Sequence, residues 1–276
     1  MTSTNNKNII TLQSTTSTQI YLNSQYADIY MNGTMKSSIV FFFKNPIQIN
    51  RNAIEMRLSV VNAQIPISWY LINSTNNMIT INSTNYYFKQ GNYNVNSFIT
   101  EWNNSIGTGW TLTFDSITNK INFTYTSNFS FKDSINSIFS IIGFQTGIIY
   151  NSSSNSLISP FCVNFAGLTR LQMKSSIFNL RNVDSFKKDM NRTIACIPVT
   201  QIGSGYILYN NITQYRNIFK NHEIFSIDIE LRDDARNFID FNNVDWSCCL
   251  QIDILNETIE NLDTLSDIYE NQPQEI

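Results

Sequence analysis

The sequence has little charge, a single histidine and no cysteine pattern that would bind a metal. Charged residues make up 14% of the 276 residues and the formal net charge is -3. No basic surface is therefore available for nucleic acid, and we expect no specific nucleic-acid binding. The four cysteines, Cys162, Cys196, Cys248 and Cys249, have no Cys-x-x-Cys spacing. With only His222 beside them they disfavour a zinc site, and we predict reduced, structural thiols.

Long apolar runs are also missing. No segment approaches the ~20 apolar residues that a membrane-spanning helix needs. The first residues, MTSTNNKNIITLQ, lack the basic and apolar regions of a signal peptide, so we predict a soluble chain with no membrane span. Apolar residues nevertheless form 42% of the sequence and aromatic residues 13%. That content excludes disorder for most of the chain and is enough for a sizeable core.

Candidate catalytic residues are scarce. A Ser-His-Asp triad would have to use His222, and no Gly-x-Ser-x-Gly motif is present. The largest group of carboxylates comprises Asp228, Glu230, Asp233, Asp234, Asp240 and Asp245. Asp228 and Glu230 share a strand face, as acid–base hydrolysis of a sugar would require, but a solvated face followed by an Asp-Asp turn explains them better. A calcium loop there lacks the Asp-x-Asp-x-Asn-Gly signature. We predict no catalytic, cofactor-binding or metal-binding residues and no cofactor.

What the sequence does contain is a series of short apolar runs with strand character. Residues 38–47, SIVFFFKNPI, form a run that ends at Asn-Pro. Met56, Leu58 and Val60 then lie on one face of a second strand, which ends at Pro66 because proline cannot donate a hydrogen bond to a neighbouring strand.

Strand signals return in the second half of the chain. Apolar residues alternate with polar ones in three runs, at Thr169, Leu171 and Met173, at Phe225, Ile227, Ile229 and Leu231, and at Trp246, Cys248, Leu250, Ile252 and Ile254. With the short runs RTIACIPVT and GYILYNN, the count reaches about eight strands, as in a two-sheet jelly roll. We predict a mainly β fold, a single jelly-roll β-sandwich, with Met56, Leu58 and Val60 buried between its sheets.

A different pattern lies between these two groups of strands and predicts an inserted α+β domain. Five apolar residues recur at helical spacing, at Val95, Phe98, Ile99, Trp102 and Ile106. Asn94 is a suitable N-cap for this helix and Gly107 a suitable end. A hairpin follows, with alternating apolar residues over 110–114 and 121–125. A second short helix is predicted after Asp133.

The two ends of the chain are polar. Residues 1–36 predict a flexible N-terminal arm, and residues 256–276 predict an acidic C-terminal tail. The jelly-roll domain then comprises residues 37–70 and 160–255, with residues 71–159 as the inserted helix-plus-hairpin domain.

Aromatic residues at the start of the insertion leave a further alternative open. Trp69, Tyr70, Tyr86, Tyr87 and Phe88 could line a surface that binds a carbohydrate or a receptor. We favour a packing role, since such residues more often fill the space between a helix and a sheet. Burial of the aromatic residues in the helix and hairpin would remove the main support for a carbohydrate-binding module.

Several of these segments resemble segments of a known family. In chain order they are LSVVNAQIPISWYLIN, Gly-Asn-Tyr at 91–93, IIGF at 141–144, SPFCVNFAGLTRLQMKSS, IACIPVTQIGSGYILYNN and IDIELRDDARNFIDFNNVDWSCCLQI. With these motifs in this order, the chain resembles the minor capsid (penton) proteins of virophages, Polinton-like viruses and related large DNA viruses. The resemblance spans about residues 37–255, and none of its motifs is catalytic.

The resemblance implies a structural protein rather than an enzyme. It implies an upright jelly roll, five copies of which form each vertex of an icosahedral capsid, with the inserted domain on the outer side. The implied partners are a homopentamer and trimers of the double jelly-roll major capsid protein, and a host receptor would be a further one. The implied location is the virion, after assembly in the host cytoplasm. A non-pentameric capsid cement protein, a carbohydrate- or receptor-binding jelly-roll module and, more distantly, a glycosidase remain alternatives.

Overall fold

The structure is a computed structural model that describes residues 9–48, 53–178, 182–183, 190–200, 205–219 and 223–261. Its strands, in chain order, are β1 (Ile9–Asn23), β2 (Ile29–Tyr30), β3 (Ser38–Gln48), β4 (Ala53–Pro66), β5 (Met78–Ile81), β6 (Thr84–Tyr87), β7 (Thr111–Asp115), β8 (Lys120–Thr124), β9 (Ser130–Lys132), β10 (Ile149–Asn151), β11 (Ser156–Ile158), β12 (Arg170–Lys174), β13 (Asn182–Val183), β14 (Met190–Asn191), β15 (Thr193–Pro198), β16 (Tyr206–Asn210), β17 (Asn217–Phe219), β18 (Glu223–Arg232) and β19 (Ser247–Asn261). Helix α1 spans Val95–Ile106, and two short 3-10 turns span Ser24–Tyr26 and Gly33–Met35. Within these ranges, no helix has the length and apolar character needed to cross a membrane.

The chain divides into two compact units. The first comprises residues 1–67, 170–199 and 205–276, and the second residues 68–169 and 200–204. The predicted insertion, residues 71–159, lies within the second unit.

The first unit is built from two antiparallel sheets and a separate ribbon formed by β13 and β14. One sheet has the order β1-β19-β4-β16, with β17 also paired to β4, and the other has the order β15-β12-β18-β3-β2. If β16 and β17 are counted as one strand because both pair with β4, the two sheets contain eight main strands (the framework strands) in chain order, which are β1, β3, β4, β12, β15, β16 with β17, β18 and β19. The first pairs with the eighth, the second with the seventh, the third with the sixth and the fourth with the fifth. This is the strand order of a jelly roll, so the predicted fold class is confirmed.

The core of this unit lies between the two sheets. Met56, Leu58 and Val60 of β4 are buried, as predicted from their shared strand face. The five alternating residues of the closing strand, from Trp246 to Ile254, are buried as well. The sheets are also joined by a hydrogen bond, in which the Asn217 side chain of β17 donates to a carbonyl of β15 at 3.1 Å. Apolar burial of this kind stabilises a fold by about 1.5–3 kcal/mol for each large side chain.

The N-terminal segment differs from the flexible arm predicted over residues 1–36. β1 pairs with β19 without a break from Ile9 opposite Asn261 to Asn23 opposite Ser247. Over residues 14–23 of this edge strand, the buried apolar residues are Ile20 and Leu22. Two alternating positions are too few to mark a strand of this length in the sequence. Residues 256–261 of the predicted tail are likewise part of β19. Residues 1–8 and 262–276 lie outside the described residues.

One predicted core residue lies on the wrong face. Phe225 was expected to share the buried face of β18 with Ile227, but its side chain is 58% exposed and Ile224 is buried instead. The cause is a shift in the pairing of β18 with β3 between Ile224 and Ser226. Such a bulge reverses the inward and outward positions on one side of it.

The second unit contains α1, the predicted hairpin and two small sheets, β10-β9-β5-β6 and β11-β8-β7. Both helix limits are confirmed. The Asn94 side chain accepts a hydrogen bond from the backbone of Ser97, whose hydroxyl accepts one from Asn94 in return, and the helix ends at Gly107. The hairpin is also confirmed, since β7 and β8 pair from Thr111 opposite Thr124 onward.

The predicted second helix is absent from residues 134–144, which form turns. Asn136 has a positive φ of 64°, and the backbone of Ile138 donates to the carbonyl of Met78 at 2.9 Å. The segment is therefore tied to β5. Ile138, Phe139 and Ile142 are fully buried, so their helix-like spacing reflects packing of a turn.

Aromatic side chains dominate the core of the second unit. Phe98, Trp102, Trp110 and Phe123 are all buried, and the Trp102 ring lies 4.9 Å from that of Phe123 and 5.5 Å from that of Trp110. Tilted and edge-to-face contacts of this kind add about 0.5–1.5 kcal/mol per pair beyond burial. The helix and hairpin thus form a packed domain.

We expect Leu58→Ala to lower the free energy of unfolding by about 2–5 kcal/mol, because it leaves a cavity between the two sheets. Gln64→Ala, on the exposed face of the same strand, is the control and should cost less than about 0.5 kcal/mol. Chemical denaturation measures both. Equal costs for the two variants would contradict a packed interior on that face of β4.

In the second unit, Trp102→Ala should lower the free energy of unfolding by about 3–5 kcal/mol, because the ring is completely buried among other aromatic rings. Asn104→Ala, on the exposed side of the same helix, should cost less than about 0.5 kcal/mol. Scanning calorimetry compares the two. A Trp102→Ala protein that melts like the control would show that the aromatic cluster is not a core.

Candidate functional site

Two of the three cysteines of the first unit have thiols that are buried and unreactive, whereas Cys196 is exposed. Cys248 and Cys249 are buried, and burial raises the pKa of Cys248 to about 12 and also raises that of Cys249. Both stay protonated near neutral pH, whereas nucleophiles and metal ligands need the thiolate. Within the described ranges, no three His, Cys, Asp or Glu side chains are grouped so as to hold a metal ion. His222 lies outside those ranges.

The two carboxylates that could have formed an acid–base pair hold structural contacts. Asp228 accepts hydrogen bonds from the backbone of Ser176 at 2.8 Å and from the hydroxyl of Ser175 at 3.0 Å, so it fixes the segment that follows β12. Glu230 accepts a hydrogen bond from Arg232, two residues further along the same strand, at 2.7 Å. The two carboxylates share a strand face as the sequence predicts, but Asp228 anchors a loop and Glu230 pairs with Arg232 of its own strand.

The other four carboxylates of the group each hold a turn or an ion pair. Asp233 accepts from the backbone of Asn237 at 2.7 Å, Asp234 from Arg170 at 2.5 Å, Asp240 from the backbone of Asn242 at 2.8 Å and Asp245 from Lys36 at 2.7 Å. These contacts support the interpretation of the group as turns and a solvated strand face.

Asp245 belongs to a junction that fixes the end of β1 to the start of β19. We call Ser24, Lys36, Asp245 and Trp246 the Trp246 junction. Asp245 accepts from both the Ser24 hydroxyl and the Lys36 ammonium at 2.7 Å. The Trp246 ring donates to the Lys36 carbonyl at 2.8 Å, and its backbone exchanges hydrogen bonds with Ser24. Ser24 and Trp246 are almost fully buried, so the junction is part of the core.

Exposed apolar side chains are found on two opposite flanks of the jelly roll. Each flank combines one edge strand from each sheet. On one flank, β1 leads through the turn Ser24–Tyr26 into β2, and on the other, the Asn217 side chain of β17 bonds to β15. The β1 flank carries Tyr21, Tyr26, Ile29 and Met31. The β16 flank carries Tyr206, Leu208, Ile212, Tyr215 and Ile218. Exposed apolar residues that are grouped at a strand edge are typical of surfaces that bind other proteins, although Phe42 and Phe225 are similarly exposed away from these edges.

Sequence reasoning did not find these flanks, because the topology of the sheets decides which strands are edges. One signal was available, since residues 9–23 contain no charged residue and no proline. A polar but uncharged segment of strand-forming residues is consistent with an edge strand as well as with a flexible arm.

Comparison with known proteins yields matches among solved structures. No protein-family model matches the sequence, and no curated protein matches it. Among solved structures, the crystal structure of the mavirus penton protein matches with 12% sequence identity and a TM-score of 0.45, over 88% of this chain and 100% of that chain. It is a penton protein, the kind of protein that the sequence motifs resemble. At this level of similarity the match alone does not assign a function.

The Trp246 junction generates a pH-dependence prediction. Partial burial would raise the pKa of Asp245, but hydrogen bonds from Lys36 and Ser24 hold that pKa below its ordinary value. A depressed pKa means that the carboxylate stabilises the folded state above its unfolded-state pKa of about 3.9, and that this contribution disappears as the pH falls through the folded-state pKa. Asp245→Asn should therefore lower the free energy of unfolding at pH 7, by about 1–2 kcal/mol because the carboxylate is one third exposed.

The difference between the wild-type protein and Asp245→Asn should shrink as the pH is lowered below about 4. Chemical denaturation at pH 7 and in acid measures it, and Glu223→Gln, an exposed carboxylate on β18, is the control for a change that costs little at pH 7. A constant difference across this range would contradict the role given to the ionised carboxylate.

Proposed function

We propose that this chain is a structural capsid protein whose homopentamer forms the vertex of an icosahedral virion. The observation that carries the proposal is the jelly-roll strand order of the first unit, with residues 68–169 of the second unit inserted between its third and fourth framework strands. The motifs that resemble penton proteins supply most of these framework strands, including β4, β12, β15, β16, β18 and β19. A jelly roll alone hosts many functions, so fold and motifs are needed together.

The flanks of the first unit support a ring of identical chains. A cyclic pentamer requires two different surfaces that fit each other, because each copy contacts the next in a head-to-tail manner. The β1 flank and the β16 flank are two such surfaces, both apolar and both on strand edges. Low overall charge is compatible with this, since charged residues are depleted at the centre of protein interfaces.

In this proposal the chain has no enzymatic activity and needs no cofactor. Its partners are four further copies of itself and the double jelly-roll major capsid protein, and its location is the capsid vertex. The carbohydrate-binding alternative loses its main support because the aromatic residues of the helix and hairpin are buried. Tyr70 and Tyr87 are exposed, and Tyr87 lies on the short strand β6, where a host receptor could contact it.

Cryo-EM of assembled particles should place this chain at the five-fold vertices. The purified protein at high concentration should also show a native mass five times that of the 31.8 kDa chain. Density for the chain between or on top of neighbouring capsomers, with a different protein at the vertex, would contradict the proposal and favour the cement protein.

A further inference from the structure

Within the described part of the chain, one edge of β1 is open along its whole length. In the described ranges, the backbone of residues 9–22 forms its hydrogen bonds with β19, and no bond joins it to a third segment. The pairing with β19 has no register shift over fifteen residues, and those residues include no charge and no proline. Proteins usually protect edge strands with short length, charged residues, proline or a bulge. β1 has none of these.

The remaining edges of the two sheets are short or interrupted. β2 has two residues, and β15 has six and ends at Pro198. β16 has five residues and is separated from β17, which continues the same edge, by the loop 211–216. The contrast singles out β1 as the edge that needs a partner in the working state of the protein.

We propose that β1 of one copy pairs with the edge formed by β16 and β17 of the next copy. This joins the first sheets of neighbouring copies around the ring, and it rests on the proposed homopentamer. Strand direction supports it. Each neighbouring pair in β1-β19-β4-β16 is antiparallel, so the two edges of this four-strand row run in opposite directions. In a ring of equally oriented copies, the two edges therefore meet as an antiparallel pair.

The chemistry of the two edges also matches. Neither β1 nor β16 nor β17 contains a charged residue, so pairing buries no unpaired charge from either strand. Tyr21 is 76% exposed at one edge and Leu208 69% exposed at the other. Both lie on the outer face of the first sheet, where side chains from the two copies would pack together.

The proposal includes a register for this pair, taken from the levels of the strands within one copy. Within one copy, Tyr21 lies level with Asn210, through Cys249 and Asn62 in the intervening strands. Ser17 likewise lies level with Ile218 of β17. We propose that the pair is formed without a stagger along the strands, so that residues at the same level in neighbouring copies meet. Tyr21 of one copy should therefore face Asn210 of the next.

Disulfide trapping tests this pairing. Directly opposed residues in antiparallel strands have Cα atoms about 4.5–5.5 Å apart, which a disulfide can bridge. In a background with the exposed Cys162 and Cys196 changed to Ser, the double variant Tyr21→Cys/Asn210→Cys is oxidised and run on a non-reducing gel. We expect a reducible ladder of two to five cross-linked chains that ends at five. The pair Ser17→Cys/Ile218→Cys should give the same ladder.

Matched controls separate this pairing from chance contact. Tyr21→Cys alone and Asn210→Cys alone should give no ladder, and neither should Tyr21→Cys/Phe225→Cys, whose second position is similarly exposed but lies on the other sheet. As an independent test, Tyr21→Lys should at least halve the fraction of pentamer at a fixed concentration while leaving the melting temperature of the monomer unchanged.

Each other outcome overturns the inference. Dimers from Tyr21→Cys alone would mean that β1 pairs with itself about a two-fold axis. A pentameric native mass without the ladder would rule out this edge pairing but leave the proposed vertex function intact. Monomers without any ladder, in solution and in assembled particles, would rule out the pairing, and the cryo-EM position of the chain would then decide the vertex function separately.

Discussion

The fold of the first unit depends on the position of β19, which is hydrogen-bonded to β1 on one side and to β4 on the other. This single strand ties both ends of the described chain into one sheet. Its inward residues fill the core, and the two residues that precede it, Asp245 and Trp246, belong to the Trp246 junction. Without β19, β1 would lose the only strand partner that it has among the described residues, and β4 would become an edge. The jelly roll is thus completed by its last strand, which makes its contacts highly non-local in sequence.

The two units are stabilised by different means. In the first, long strand ladders and aliphatic side chains predominate, and the charged groups form turns and ion pairs at its surface. In the second, one helix and short strands of three to five residues surround an aromatic cluster. Short strands provide few backbone hydrogen bonds, so the large area of each aromatic ring supplies much of the stabilisation there. This accounts for the concentration of Phe, Trp and Tyr between residues 86 and 150.

The sequence predicted those elements whose signals are local. Helix α1 was found within its limits because apolar spacing, the Asn94 cap and Gly107 agree, and the inward residues of β19 were found because strict alternation marks them. The missed elements depend on distant contacts. β1 is held by a strand more than 220 residues away, the exposure of Phe225 follows from a bulge against β3, and the turn around Ile138 bonds to β5. The two flanks could not be predicted, since no local pattern states which strand is an edge.

The unprotected edge of β1 has an explanation if the strand is paired with another chain in the assembled protein. A fifteen-residue edge with no charge, proline or bulge would invite uncontrolled pairing if it were apolar throughout. β1 is instead rich in Ser, Thr and Gln, with Ile20 and Leu22 turned to the core, so its affinity for another strand comes mainly from the backbone. Each backbone hydrogen bond contributes little net free energy. In a closed ring every copy pairs at both of its edges, so these small contributions add up over all the contacts of the ring. The proposed role as a shell subunit has this requirement, because separate copies of such a subunit must stay soluble and assembled copies must hold together.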